Sequence, residues 1–106
     1  MARHRPLRVR VVAGEDLSPA EIDAMYALRA SLFAIKTDRR AADRAGFAAR
    51  VRLGQRNLLF EERDGRLRGI FSMHWQPAPD GSALWLLSEY GFMDREVRGH
   101  PVFPRA

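Results

Sequence analysis

The sequence has no cysteine. That excludes a disulfide framework, a thiolate nucleophile and a zinc–thiolate site, and it suits a reducing compartment. There is no run of about 20 apolar residues, the length a bilayer-spanning helix needs. The basic opening, MARHRPLRVR, lacks the apolar stretch of a signal peptide. A cytoplasmic chain with no membrane partner is therefore expected. Lysine is nearly missing, with Lys36 alone among 18 basic residues. The rest are arginine, permanently charged and shaped for two-point contact with carboxylate or phosphate. His4, His74 and His100 are scattered, with no clustered carboxylates beside them, so no metal site is expected. No serine sits on a recognisable nucleophile turn.

At 106 residues the chain reads as one domain, 1–106, with a basic N-terminal arm over 1–6. A composition 46% hydrophobic and 29% charged is that of a folded globular protein, not a disordered one. A net charge of +5 permits anionic partners, although heavy arginine use also follows from a GC-rich genome. The stretch RHRPLRVR lacks interleaved aromatics, and no nucleic-acid-binding module is recognisable, so nucleic acid is not the expected partner.

Alternation of Leu7, Val9 and Val11 with Arg8, Arg10 and Val12 predicts a half-buried strand over 7–13. SPAE at 18–21 is a capping box with proline at the first helical position, which predicts a helix from Pro19 to about Ile35. Its apolar stripe is Ile22, Met25, Tyr26, Leu32 and Phe33; Arg29 falls in that stripe and needs a partner or a route to solvent. A second helix is expected from about Arg39 to Leu53. Asp38 would be its N-cap, Gly54 its stop, and Ala42, Ala45, Phe47, Ala49, Val51 and Leu53 its thin apolar face.

The period then changes to two. Asp64-Gly65 signals a two-residue hairpin turn between two strands, the second with Phe71, Met73 and Trp75 on one face and Ile70, Ser72 and His74 on the other. After the turn QPAPDGS, the stretch ALWLLSEYGFM is apolar on both faces at 84–87, which predicts a central strand covered on both sides. The resulting class is α+β: a mostly antiparallel sheet in the order β-α-α-β-β-β, with two helices on one face. The second face of 84–87 needs a cover, either a partner subunit in a homo-oligomer or further fold beyond Ala106.

This order of elements resembles the first half of the GNAT superfamily of acyl-CoA-dependent N-acyltransferases. ALRASLF at 27–33 looks like the family's first-helix pattern, and NLLFEERDGRLRGIFSM at 57–73 like its second and third strands. LSEYGFMDREVRGHPVF at 87–103 looks like its fourth strand and the acyl-CoA-binding turn that follows. The resemblance implies acetyl-CoA or another acyl-CoA as cofactor, and direct attack of an amine on the thioester. It implies Glu89 as general base, main-chain contacts to the pantetheine arm at Phe92 and Met93, and phosphate contacts at Arg98 and Gly99. Arg98 occupies the basic position of that turn. Pro101 and Phe103 depart from the small residues expected there: proline removes an amide donor, and phenylalanine adds bulk where main chain should approach phosphate.

Two readings follow. One is a GNAT-like acyltransferase domain, incomplete or impaired in this chain. The other is a non-catalytic interaction or dimerisation module of the same ancestry, suggested by the altered turn and the two-sided apolar strand. Tyr90 is read as a core or strand-edge residue.

Overall fold

The computed structural model describes residues 6–97, with the side chains of Trp85, Leu86, Leu87 and Glu89 outside the described set. The elements are β1 (Arg8–Val12), α1 (Pro19–Leu32), α2 (Arg40–Leu53), β2 (Arg56–Glu61), β3 (Leu67–Pro77) and β4 (Leu84–Met93). The four strands form one antiparallel sheet in the order β1-β2-β3-β4. The expected α+β class and element order are observed.

Both helices cover one face. Leu59, Ile70 and Phe92 stand in register across β2, β3 and β4 and pack beneath Ile22, Met25, Tyr26 and Leu28 of α1 and Phe47 and Val51 of α2. Burial of such a cluster is the main force holding the helices to the sheet. The Ser18 capping box forms as expected: Glu21 N–H donates to Ser18 Oγ at 3.1 Å, and Ser18 N–H donates to Glu21 Oε1 at 2.9 Å.

Several expectations are corrected. α1 ends at Leu32, three residues early, because Phe33 turns to extended backbone, and its ring packs edge-on against Phe92 at 5.8 Å. Leu28, outside the expected stripe, is buried, whereas Phe33 is 46% exposed. α2 has no side-chain cap at Asp38. A 3-10 turn over Thr37–Arg39 leads into it, and the Arg39 and Arg40 amides donate to the Lys36 and Thr37 carbonyls, so no carboxylate is needed there. Leu53 lies outside the core at 79% exposed, and α2 packs through Phe47 and Val51 alone among its expected apolar residues. Asp64-Gly65 is not a two-residue turn. Glu62 N–H donates to Arg66 O and Gly65 N–H to Glu62 O, which makes a three-residue loop with Gly65 at φ 88°.

β1 turns Val9 and Val11 away from the helices, and only Val12 packs against the core beneath them. Val9 and Val11 sit opposite Phe60 and Leu58 on the far face, while Arg10 lies on the helix side and pairs with Glu21 and Glu61. β4 is not central: among the described strands it forms an edge of the sheet, and Leu84 is 66% exposed. One end of the far face is closed by Val97, in the 3-10 turn Arg95–Val97, against Phe60. Arg68 anchors that turn, donating to Glu62, Asp94 and Glu96 at 2.9, 3.0 and 2.8 Å. Among the described residues no helix is long and apolar enough to cross a membrane.

Candidate functional site

Two features meet at β4. The first is its edge. Pairing between β3 and β4 slips after Ser72: Ser72 faces Tyr90, but Met73 faces Ser88, so Glu89 is left out of register as a bulge. Asp94 N–H donates to Arg68 O at 2.6 Å. Antiparallel alternation then directs the Phe92 main chain toward β3 and that of Gly91 and Met93 toward the open edge. A row of outward amides and carbonyls is a template for an extended, amide-bearing ligand or another strand.

The second feature is a concavity of about 410 Å³ between α1, α2 and β4, lined by Arg29, Arg39, Asp43, Phe47, Arg50 and Tyr90 together with Ala42 and Gly46. Its centre is an ion pair. Arg29 Nε and Nη2 donate to Asp43 Oδ2 and Oδ1 at 3.1 and 3.0 Å, and Tyr26 Oη donates to the same Oδ2 at 2.9 Å. The guanidinium lies 5.2, 5.8 and 5.4 Å from the ring centres of Phe33, Phe47 and Tyr90. The Arg29 guanidinium holds the Asp43 carboxyl below its ordinary range, and the Asp43 bond in turn raises Arg29. Burial, then the Asp43 hydrogen bond, pushes the Tyr26 phenol up, so it stays a donor. Arg50 Nη1 donates to Tyr90 Oη at 3.4 Å, and the Tyr90 ring leans on Phe47 with centres 4.9 Å apart. The site is charged and aromatic. Among the described residues no group of histidine, cysteine and carboxylate side chains could hold a metal ion.

Beneath the helices, Asn57 and Ser72 stand side by side on β2 and β3, and Tyr90 follows on β4. Asn57 Nδ2 donates to Val51 O at 3.1 Å, while Asn57 Oδ1 and Ser72 Oγ are buried with no partner among the described residues.

Of the residues expected from sequence, Glu89, Phe92 and Met93 lie on β4. Glu89 is the bulge residue, and its side chain lies outside the described set. Phe92 is buried in the core under the helices. Met93 is half-buried on the far face beside Phe60 and Val97. Arg98 and Gly99, with Pro101 and Phe103, lie outside the described residues. Sequence reasoning passed over Arg39, Asp43, Gly46 and Arg50. The signal was there: 43, 46, 47 and 50 recur at helical spacing, but as a polar stripe beside the apolar one.

A second concavity, of about 420 Å³, lies where β1 leaves the sheet and α2 runs into β2, with Gly14, Arg52, Gln55 and Trp75 among its walls. There Gln55 Oε1 accepts from Trp75 N–H, and a Cβ on Gly14 would overlap the Arg52 and Val51 carbonyls. Gly14 is therefore required by packing alone. No family model, curated protein or solved structure matches this chain.

Proposed function

We propose that this chain is a GNAT-like acyl-CoA-binding domain whose donor thioester lies along the open edge of β4. The observation that carries this reading is the bulge at Glu89, which interrupts an edge strand beside a charged concavity. Bulges at sheet edges re-aim a side chain and release main-chain groups, and they concentrate next to active sites. The outward amides and carbonyls of Gly91 and Met93 suit the amide-bearing pantetheine arm. Bound acyl-CoA supplies an activated thioester. Glu89 would take the proton from an amine as it attacks the acyl carbon; the C–S bond would break, and coenzyme A would leave as a thiolate that picks up a proton to become the thiol. Phe92 holds the strand to the core. Arg98 and Gly99 take the phosphates. The departures at Pro101 and Phe103 weaken that last contact, so binding is weak and turnover impaired.

Titration with acetyl-CoA, followed by amide NMR, tests the reading. Saturable shifts at Gly91 and Met93 are expected. Their absence at millimolar acetyl-CoA overturns it.

A second reading has its own observation. Val9, Val11, Trp75 and Leu84 all lie on the far face and are exposed. A patch of this kind, with an open strand edge beside it, suits a non-catalytic module that pairs with a second copy or with further fold. Sedimentation showing a monomer at high protein concentration counts against self-association.

A further inference from the structure

The concavity where α2 runs into β2 holds charges of both signs that do not pair. Glu15 lines it from the 3-10 turn Gly14–Asp16, and Arg52 and Arg56 line it from the end of α2 and the start of β2. All three residues are exposed. Among the described residues Glu15 forms no ion pair, and neither arginine meets a carboxylate. Arg52 Nη1 donates to Leu17 O at 3.0 Å, and Arg56 Nη1 donates to Gln55 O at 3.1 Å. Each bond steadies its guanidinium and leaves the other nitrogens of the fork free to donate.

The same concavity presents two large apolar side chains. Leu53 is 79% exposed and Trp75 49%. One exposed apolar residue is ordinary, but two that line one concavity beside charged groups have the make-up of a small-molecule site. The main chain under Trp75 is held in place. β2 pairs with β3 only as far as Arg56 opposite Met73, whereas β3 runs on to Pro77. The Trp75 N–H lies beyond that ladder, and Gln55 Oε1 takes it at 2.8 Å. Gly14 N–H donates to Gly54 O at 2.8 Å, which ties the turn bearing Glu15 to the α2–β2 corner. Walls fixed in this way lose little freedom when a ligand enters.

We propose that this concavity binds a small zwitterion with an apolar body, the chemistry of a free aromatic α-amino acid. Its carboxylate meets Arg52 and Arg56, its ammonium meets Glu15, and its side chain lies against Trp75 and Leu53. The volume of about 420 Å³ suits one such molecule, since small-molecule sites begin at roughly 300 Å³. The inference rests on this concavity alone and stands whether or not β4 binds acyl-CoA.

The test uses 15N-labelled protein titrated separately with L-phenylalanine, phenylacetate, phenethylamine and glycine at constant ionic strength. Phenylacetate lacks the ammonium, phenethylamine the carboxylate and glycine the ring. Saturable shifts are expected with L-phenylalanine at the Trp75 indole N–H, the Gly14 amide and the Arg52 and Arg56 Nε–H signals. Each of the other probes should bind about tenfold more weakly or worse, since each lacks one contact. Glu15→Gln should erase the preference for L-phenylalanine over phenylacetate, and Arg56→Gln should narrow its preference over phenethylamine. Both residues are exposed, so both variants should keep the native melting temperature. Trp75→Leu should weaken L-phenylalanine binding about tenfold while leaving glycine unaffected. Shifts that rise without saturation, equal binding of L-phenylalanine and phenylacetate to the native chain, or the same preferences in the variants overturn the proposal. In the same spectra Gly91 and Met93 report on the β4 edge and Val9 and Val11 on the far face, so failure at one site is read independently of the others.

Discussion

The ring of Phe71 lies against Gly91 across the β3–β4 pair, so close that a Cβ at Gly91 would come 2.7 Å from Phe71 Cε1. Gly91 therefore serves two ends at once: it admits the ring and bares main chain at the sheet edge. Gly91→Ala is expected to destabilise the fold by about 1–3 kcal/mol, the usual cost of overpacking. Phe71 is half-buried, and removing its ring clears the clash. The double variant Gly91→Ala/Phe71→Ala should then show a coupling of at least about 0.5 kcal/mol in urea unfolding. Strict additivity would mean that the ring moves aside freely.

Arg68 makes a different demand. It is 2% exposed, and its three nitrogens each hold a different carboxylate, Glu62, Asp94 and Glu96. Burial pulls the guanidinium pKa down, but Glu96, Asp94 and Glu62 together outweigh that, so it stays charged. Arg68→Ala leaves a hole beside the buried Glu62 and removes the anchor of Asp94 and Glu96, and it should cost about 3–5 kcal/mol. Lysine has one compact ammonium in place of a planar fork, so Arg68→Lys should recover only part of the loss. Denaturant titration checks both, and full recovery by lysine would mean that charge alone matters here.

What was legible in the sequence was local. The capping box at Ser18, the strand periods and the order of elements depend on neighbours within a few residues, and all are observed. What failed depended on tertiary context. Val9 and Val11 alternate as a buried strand face should, but the sheet places its helices on the other side, where Arg10 finds Glu21 and Glu61. The apolar run at 84–87 implied a central strand, yet apolarity does not say which neighbour covers a strand, and among the described strands β4 is an edge. Within the candidate site, the need of Arg29 for a partner could be foreseen. That the partner is Asp43 could not, because it follows from how α1 and α2 cross. Gly46 drew no notice because a helical glycine acquires meaning only from the space beside it.

Ser72 offers a test of opposite sign. Its hydroxyl is buried and has no partner among the described residues. A buried polar group without a hydrogen bond costs about 1–3 kcal/mol. Ser72→Ala should therefore leave stability unchanged or raise it, by up to about 1 kcal/mol on the same scale. A loss above about 1 kcal/mol in thermal or urea unfolding would show that the hydroxyl is bonded in solution.

Asp43 ties the candidate site to pH. Its carboxyl is held below the ordinary range first by the Arg29 hydrogen bond and then, against the opposing pull of burial, by Tyr26. Glu21 is lowered in the same direction, chiefly by the Ser18 main-chain hydrogen bond. A carboxylate with a depressed folded pKa binds protons more readily when unfolded. Its contribution is thus complete above the unfolded value, about 3.9 for aspartate and 4.3 for glutamate, and fades as pH falls through the folded value. The native protein should lose stability below about pH 4, and the two groups should account for separable parts of that loss. Asp43→Asn keeps the shape but removes the charge that Arg29 grips. It should lower stability at neutral pH by about 1–3 kcal/mol and flatten the acid limb of the stability–pH curve. Glu21→Gln should flatten it further and additively, since no described contact joins Glu21 to the Arg29–Asp43–Tyr26 group. An acid limb as steep in Asp43→Asn as in the native chain would mean that the ion pair contributes nothing to folding, and that Arg29 is held by Phe33, Phe47 and Tyr90 alone.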